Sequence, residues 1–229
     1  MFEQITVRFL KHFSSQNLRN ALGRSSLSEI EKFILDGYTD VLFRDLKLRS
    51  SDSILILGGY LGDSVERWLE ASSGQVMVVE PVTEYFQILN SKFSGNPRVK
   101  LFNLAVGDRN GIIDIYIDGM KSGSNAHSAF IQSAEVMATD AFLKKLPVKP
   151  TVIEINIEGG EYLVMQNLFT SNLVEQVRTF LIQFHKYAYR DEIMRGEIRE
   201  KLSATHTEIY CYEWVWERWD SKSKGNYEV

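Results

Sequence analysis

The stretch ILILGGYLGDSV, residues 54–65, decides the fold class. It begins as a short apolar strand, turns through Gly58 and Gly59, and re-enters polar, helix-compatible sequence at Gly62 and Asp63. A buried strand that runs through a glycine turn into a helix is typical of the first unit of a parallel α/β sheet. The turn raises the question of what it is built to hold.

Strand-like and helix-like segments alternate after this turn. Strands are predicted at SILIL (53–57), QVMVV (75–79), VKLFN (99–103), GIIDIYI (111–117), TVIEI (151–155) and VRTFLIQF (177–184), and helices at residues 63–71, 83–93, 160–169 and 191–202. Short apolar strands separated by helices predict a doubly wound, Rossmann-like α/β fold with a mostly parallel sheet. The alternating stretch HTEIYCYEWVW (206–216) predicts an antiparallel strand at the C-terminal edge.

Helical patterns dominate residues 1–50, which we predict to form an N-terminal helical layer before a main domain at residues 51–229. Ser28 stands three residues before Glu31, the spacing of a helix capping box. The opening MFEQITVRFLKHF is predicted to be an amphipathic helix, because its apolar run is too short for a signal peptide or a membrane span.

The composition excludes several classes of protein. With 229 residues, 44% of them hydrophobic, the chain is long enough for one well-buried core. Its formal charge of −4 disfavours a general nucleic-acid binder, which would need a basic surplus. The single cysteine, Cys211, allows neither an internal disulfide nor a cysteine-rich zinc site, and it favours a cytoplasmic location.

Candidate ligand-binding residues follow the predicted strands. In an open parallel sheet, ligands bind beyond the carboxyl ends of the strands. Glycines in the first turn let a ligand approach the backbone, and Glu80, about twenty residues on, is placed to accept hydrogen bonds from ribose hydroxyls. A nucleoside pocket is therefore predicted from residues at three strand ends: Gly58, Gly59, Tyr60, Gly62, Asp63, Glu80, Pro81, Asn103, Leu104 and Ala105.

The glycine spacing distinguishes between the possible classes of nucleotide-binding site. A dinucleotide site would have Gly-x-Gly-x-x-Gly, but counting from Gly58 the third and sixth positions are Tyr60 and Asp63. No P-loop motif occurs either. An NAD-type oxidoreductase is accordingly disfavoured, although it stays among the alternatives.

Six blocks in order resemble the FkbM-type S-adenosylmethionine-dependent methyltransferases. They are LGGYLGDS, VVEPVTEYFQIL, NLAVGDRNGIIDIYI, ATDAFL, IEINIEGGEYLVMQNL and IQFHKY. The resemblance implies that residues 51–229 form a methyltransferase domain that uses S-adenosylmethionine. It also implies O-methylation of a hydroxyl on a sugar or glycan-type acceptor.

Five positions depart from the family pattern. Ile56 replaces a usual Asp, Tyr60 a usual Asn, Glu154 a usual Lys, Asn156 a usual Asp and Gln183 a usual Glu. A change of acceptor, weak cofactor binding or loss of catalysis would each be consistent with these losses. A catalytically silent nucleoside-binding or scaffold protein of the same fold is therefore the main alternative.

Four residues after the later strands are the catalytic candidates. We expect Asn156, Glu158, Glu161 and His185 to converge near the methyl group of the cofactor. His185, expected to be neutral near pH 7, is the candidate general base, and the two acids would orient the acceptor. The same groups could hold a divalent cation, but Asn156 lacks the charge for it, and no metal is predicted.

Structural explanations compete with these roles. The glycines could serve only a tight turn, and carboxylates such as Glu158 and Glu161 are favourable near a helix start. The helical layer and the aromatic tail after Thr207 are predicted to shape acceptor choice or self-association, with a homodimer as the default. The tail carries five aromatic residues, Tyr210, Tyr212, Trp214, Trp216 and Trp219.

Overall fold

A computed structural model describes residues 27–117 and 131–223 of the chain. The strands are β1 (Ile54–Leu57), β2 (Val76–Val79), β3 (Val99–Phe102), β4 (Ala105–Gly107), β5 (Gly111–Tyr116), β6 (Ile131–Ala138), β7 (Val152–Ile155), β8 (Thr179–Ile182), β9 (His206–Tyr212) and β10 (Trp216–Ser221). The helices are α1 (Glu29–Leu35), α2 (Tyr38–Phe43), α3 (Asp63–Ala71), α4 (Thr83–Phe93), α5 (Thr139–Lys145), α6 (Glu161–Thr170) and α7 (Tyr189–Thr205), with a short 3-10 helix at Val174–Gln176. The amphipathic helix predicted at residues 1–13 lies outside the described residues.

Seven strands form the main sheet, in the order β3-β2-β1-β7-β8-β10-β9. The pairs β3–β2, β2–β1, β1–β7 and β7–β8 are parallel, and β10 pairs antiparallel with both β8 and β9. The predicted doubly wound α/β fold is therefore confirmed. The reversed strand lies one position in from the edge, because the predicted single strand is a hairpin that turns at residues 213–215.

Both faces of the sheet are covered by helices. All four residues of β1 are buried, and they alternate between two apolar layers: Leu55 and Leu57 face one, Ile54 and Ile56 the other. The Leu55 side packs against α5, α6 and α7, and the Ile54 side against α1 to α4. Apolar residues on both faces explain why the central strands read as continuous hydrophobic runs.

The N-terminal helices and the aromatic tail pack on each other. The predicted capping box of Ser28 and Glu31 is present at the start of α1. The rings of Phe33 and Tyr212 lie 5.1 Å apart, and the Tyr212 hydroxyl donates a hydrogen bond to Asp36. Tyr210, Tyr212, Trp216 and Trp219 are all at most 9% exposed, so these aromatics are used within the chain and cannot form a surface for a second copy. The homodimer itself stays a prediction.

A second, three-stranded sheet has the order β4-β6-β5 and was not predicted. The predicted strand GIIDIYI belongs to this sheet, as β5, and not to the main one. Its partner β6 escaped prediction because the sequence IQSAEVMA has small and charged residues that give little apolar alternation. Within the described residues, no helix has the length and apolar character needed to cross a membrane.

Candidate active site

Contacts inside the protein require glycine in the turn after β1. Gly58 and Gly62 adopt φ values of 94° and 98°, a region that favours glycine. A Cβ atom on Gly58 would lie 2.0 Å from the Asn156 carbonyl oxygen, and one on Gly62 would lie 2.7 Å from the ring of Phe93. A Cβ atom on Gly59 would likewise lie 2.6 Å from the side chain of Val78. The structural explanation of these glycines is sufficient, so their role in cofactor binding stays a prediction.

Tyr60 and Asp63 occupy the rest of this turn. Tyr60 has a left-handed backbone with φ 43°, an uncommon conformation for a residue with a side chain. Its ring makes an edge contact with the ring of Tyr85, with the centroids 4.8 Å apart. Asp63 is exposed and begins α3. Tyr60 therefore packs towards the small sheet, at the position where the family usually has Asn.

Glu80, the first residue after β2, is the buried acid of the predicted nucleoside pocket. Its side chain accepts hydrogen bonds from the backbone N–H groups of Tyr60 (2.9 Å) and Val82 (2.8 Å), one on each carboxylate oxygen. Burial raises the pKa of Glu80, and hydrogen bonds from the backbone of Val82, Tyr60 and Gly59 offset only part of that rise. The carboxylate thus ties the turn after β1 to the end of β2.

Side-chain amides close the neighbouring strand ends. Asn103, after β3, donates from Nδ2 to the carbonyl oxygens of Glu80 (2.9 Å) and Pro81 (3.2 Å). Gln132 of β6, which sequence reasoning missed, donates to the Pro81 carbonyl and accepts from the Thr83 backbone N–H. The remaining predicted members, Leu104 and Ala105, are half-buried and buried. The second sheet is therefore anchored at the edge of the main sheet that is formed by the carboxyl ends of its parallel strands.

Glu161, the first residue of α6, organises the loop after β7. Its side chain is fully buried, and it accepts hydrogen bonds from the backbone N–H groups of Ile157 and Gly159, each at 2.9 Å. Between them Glu158 adopts φ 51°, an unusual backbone for a residue with a side chain. Asn156, just before the loop, is half-buried and presents its carbonyl oxygen to Gly58. One carboxylate therefore holds the loop that carries Glu158.

His185, after β8, lies between two carboxylates. Its Nδ1 is 3.0 Å from Glu161 Oε1 and its Nε2 is 3.2 Å from Glu158 Oε1. Burial alone would lower the pKa of this imidazole, but hydrogen bonds and charges from Glu158 and Glu161 outweigh burial and raise the pKa to about 10. The expectation that His185 is neutral near pH 7 is therefore wrong, because the ring is an imidazolium in this arrangement.

Three of the four predicted catalytic residues thus come together. Two tyrosines that sequence reasoning missed contact these residues: the Tyr187 hydroxyl donates to Glu158 Oε2 at 2.6 Å, and the Tyr162 hydroxyl donates to the backbone carbonyl of His185 at 2.6 Å. No residue-type pattern could have found them, since both are fixed by tertiary contacts. We call Glu158, Glu161, His185 and Tyr187 the imidazolium cluster.

The imidazolium cluster does not have the geometry of a metal site. A histidine binds a metal through one ring nitrogen, but here the two carboxylates contact opposite nitrogens of one ring. Among the described residues, three potential ligand atoms approach within 4.8 Å of one another only at Glu208, Cys211 and Glu217. Cys211 and Glu217 of that group are already hydrogen-bonded to the guanidinium groups of Arg195 and Arg199.

Two departures from the family pattern occur at facing positions. Ile56 of β1 and Glu154 of β7 are register partners, so their side chains share one face of the sheet. Glu154 is buried and accepts hydrogen bonds from Ser64 Oγ and Trp68 Nε1. The Asp and Lys that the family usually has at these positions would have opposite charges, so the replacement of both leaves no unpaired partner. This pair lies on the α3 side of the sheet and gives no reason to expect an inactive site.

The protonated His185 predicts a pH-dependent stability. The pKa of His185 is about 10 in the folded chain, compared with the ordinary histidine value of 6.5 in the unfolded chain. Stabilisation from this residue is then fully present below the lower value and is lost as the pH rises through the upper one. We expect the thermal midpoint of the wild type to exceed that of His185→Gln by less at about pH 10.5 than at about pH 6.5. Other groups titrate in both proteins and cancel, so a constant difference would contradict the prediction.

The sheet order defines a doubly wound, Rossmann-like α/β fold, and solved structures with a similar fold include methyltransferases. An FkbM methyltransferase from Methylobacillus flagellatus KT aligns with a TM-score of 0.55 and 16% identity, over 80% of this chain and 47% of that one. A putative rRNA methylase from Clostridium thermocellum aligns with a TM-score of 0.50 and 10% identity, over 83% of this chain and 97% of that one. This chain spans about half the length of the FkbM methyltransferase.

The family follows from the sequence match. Residues 57–210, more than half of the chain, match the model of the methyltransferase FkbM domain. The chain belongs to the FkbM methyltransferase family, which confirms the resemblance found in the six sequence blocks. No curated protein matches the chain by sequence.

Proposed function

We propose that this protein is an S-adenosylmethionine-dependent O-methyltransferase that acts on a hydroxyl of a sugar or glycan-type acceptor. The observation that carries the proposal is the pairing of His185 with the buried Glu161. Both residues lie beyond the carboxyl ends of parallel strands, where ligands bind in open α/β sheets. A histidine oriented through Nδ1 by a buried carboxylate presents Nε2 for proton transfer. The acceptor class itself is supported by family membership.

The cofactor would bind from the end of β2 towards the end of β7. Neighbouring strands lie about 4.8 Å apart, so the ends of β2 and β8 are about 14 Å apart across three spacings. Glu80 fits the ribose, because its carboxylate has about four acceptor sites and the backbone N–H groups of Tyr60, Val82 and Gly59 leave at least one for a ribose hydroxyl. When bound, S-adenosylmethionine supplies an activated methyl group on a sulfonium leaving group. Asn156, at the end of β7, would border the reacting centre.

Proton removal requires a rearrangement of the imidazolium cluster. While Glu158 Oε1 contacts Nε2, the ring carries its proton and cannot accept another. We propose that the Nε2 proton passes to Glu158, which releases it to solvent as its carboxylate leaves the ring. The acceptor hydroxyl would then take the place of Glu158 and donate its proton to Nε2. The cofactor would supply the methyl group, whose bond to sulfur breaks as the bond to the acceptor oxygen forms. Glu161 balances the imidazolium that forms.

A pH–rate profile of Glu158→Gln tests this route. In the wild type, turnover should rise with pH towards the high pKa of His185, because the ring must first lose a proton. Removing the Glu158 charge should move the inflection to lower pH and leave a working base. Glu192→Gln, which alters an exposed acid paired with Lys186, is the matched control. A loss of about 10²-fold or more at every pH would instead make Glu158 the base.

A silent nucleoside-binding protein is the second candidate, because an imidazolium held at both nitrogens also describes a site that never turns over. A thermal-shift panel separates the candidates, since a ligand at 100 times its dissociation constant stabilises by about 2.7 kcal/mol. S-adenosylhomocysteine should stabilise the protein, whereas NAD and NADP should not. Stabilisation without methylation of any sugar acceptor would favour the silent protein, and a shift with NAD would favour an oxidoreductase. The cytoplasmic location is part of the proposal and is supported by the free cysteine.

A further inference from the structure

Tyr187 contacts two members of the imidazolium cluster at once. Its hydroxyl donates to Glu158 Oε2 at 2.6 Å, and its ring stacks on the ring of His185, with centroids 6.3 Å apart and an interplanar angle of 17°. The residue is nevertheless 48% exposed, so it covers the cluster from the solvent side. An acceptor that bonds to Nε2 of His185 must displace the Glu158 carboxylate to which this tyrosine donates.

The backbone around Tyr187 is fixed by the start of α7. The buried carboxylate of Asp191 accepts hydrogen bonds from the backbone N–H groups of Tyr187 (2.8 Å) and Ala188 (2.7 Å). Such capping sets the direction in which the chain enters a helix. The backbone that carries the phenol ring is therefore fixed by Asp191, independently of the bond to Glu158.

Glu158 divides its two oxygens between the tyrosine and the histidine. Oε1 faces His185 Nε2 at 3.2 Å and Oε2 accepts from Tyr187 at 2.6 Å. We infer that Tyr187 is a positioning residue that holds the Glu158 carboxylate on Nε2 of His185. Nε2 then becomes accessible to an acceptor only when the hydrogen bond from the Tyr187 hydroxyl to Glu158 breaks. The role in opening rests on the proposed function, whereas the holding contact exists without any ligand.

The surrounding charges favour a permanent donor at Tyr187. Burial raises the pKa of the Tyr187 hydroxyl, and the bond and charge of Glu158 raise it further, so the hydroxyl keeps its proton while His185 titrates. The groups that face the histidine are Glu158, Glu161 and Tyr162 from the β7–α6 side and Tyr187 from the α7 side. Glu158 and Glu161 carry charge and the Tyr162 hydroxyl donates to the backbone carbonyl of His185, so removing the Tyr187 hydroxyl is the change that acts on Glu158 without removing a charge.

NMR titration of His185 in the ligand-free protein tests the inference. Tyr187→Phe keeps the stacked ring but removes the hydroxyl contact to Glu158, so the pKa of His185 should fall by about one unit, a tenfold loss of proton affinity. Glu158→Gln should lower it further. Tyr189→Phe, the same change two residues away at a side chain that is 75% exposed, should leave it unchanged.

Two outcomes would overturn the inference. They are an unchanged His185 pKa in Tyr187→Phe, or an equal shift in Tyr189→Phe. The resonance of His206, buried on β9, reports in the same spectra whether each variant is folded. The titration needs neither cofactor nor acceptor, so its result tests the Tyr187 contact separately from the proposed methyltransferase activity.

Discussion

Replacing His185 by alanine is expected to lower methyl transfer by about 10²- to 10⁴-fold, the usual contribution of a general base. Affinity for S-adenosylhomocysteine should stay nearly unchanged, because the residue lies after β8, about 14 Å from the end of β2, where the ribose is proposed to bind. Single-turnover kinetics for the rate and calorimetry for the affinity would measure the two effects separately. A rate within threefold of wild type would remove His185 from the chemistry, since a threefold change is under about 0.7 kcal/mol.

His185→Ala also removes the partner of two carboxylates, one of them fully buried. Breaking a buried ion pair by removing one partner costs about 3 to 5 kcal/mol, so this variant could lose activity by unfolding. His185→Gln provides the control, because its amide can still donate to Glu161 but cannot take up a proton. A folded His185→Gln protein with full activity would contradict the proposed role of the histidine.

The main sheet was predictable because its strands are buried on both faces. Helices α3 and α4 have the predicted bounds, residues 63–71 and 83–93, since apolar positions at helical spacing leave little freedom in where a helix lies. The second sheet was not predictable, because β6 is separated in sequence from its partner β5 and its segment IQSAEVMA lacks a regular alternation of large apolar residues. The hairpin of β9 and β10 was missed because Trp214, in its turn, continues the aromatic alternation while adopting φ 60°.

Three members of the candidate site were predicted from the sequence, but the protonation of His185 was not. Strand-end position alone brought out Glu158, Glu161 and His185, because the carboxyl ends of parallel strands share one edge. Protonation could not be predicted, since the pKa of His185 depends on which nitrogen each carboxylate reaches. The role of Tyr187 likewise depends on a bond between residues 29 positions apart in sequence.

The glycine turn shows the same limit. Its sequence is what a bound ligand would require, yet Gly58, Gly59 and Gly62 are each explained by a close contact with the chain itself. The proposal of a cofactor at this edge therefore depends on Glu80, a buried carboxylate that the backbone N–H groups of Tyr60 and Val82 orient.

Replacing Glu80 by alanine is expected to weaken S-adenosylhomocysteine binding by roughly 1.5 to 3 kcal/mol, about 10- to 150-fold, the range for hydrogen bonds to a charged group. The reason is that a ribose would donate its hydroxyls to this carboxylate, which the backbone N–H groups of Tyr60 and Val82 already orient. Calorimetry on the folded variant measures the loss. Glu84→Ala, which removes an exposed acid from the first turn of α4, should bind like the wild type.

Glu80 also stabilises the turn, so a loss of ribose contacts in the variant must be distinguished from a loss of stability of the turn. Removing the carboxylate leaves the N–H groups of Tyr60 and Val82 without this acceptor, and we expect a lower thermal midpoint as well. Glu80→Gln keeps one carbonyl acceptor of similar size and should lie between the alanine variant and the wild type in both measurements. If Glu80→Ala unfolds at a lower temperature but binds S-adenosylhomocysteine with wild-type affinity, the carboxylate holds the turn and does not bind the ribose.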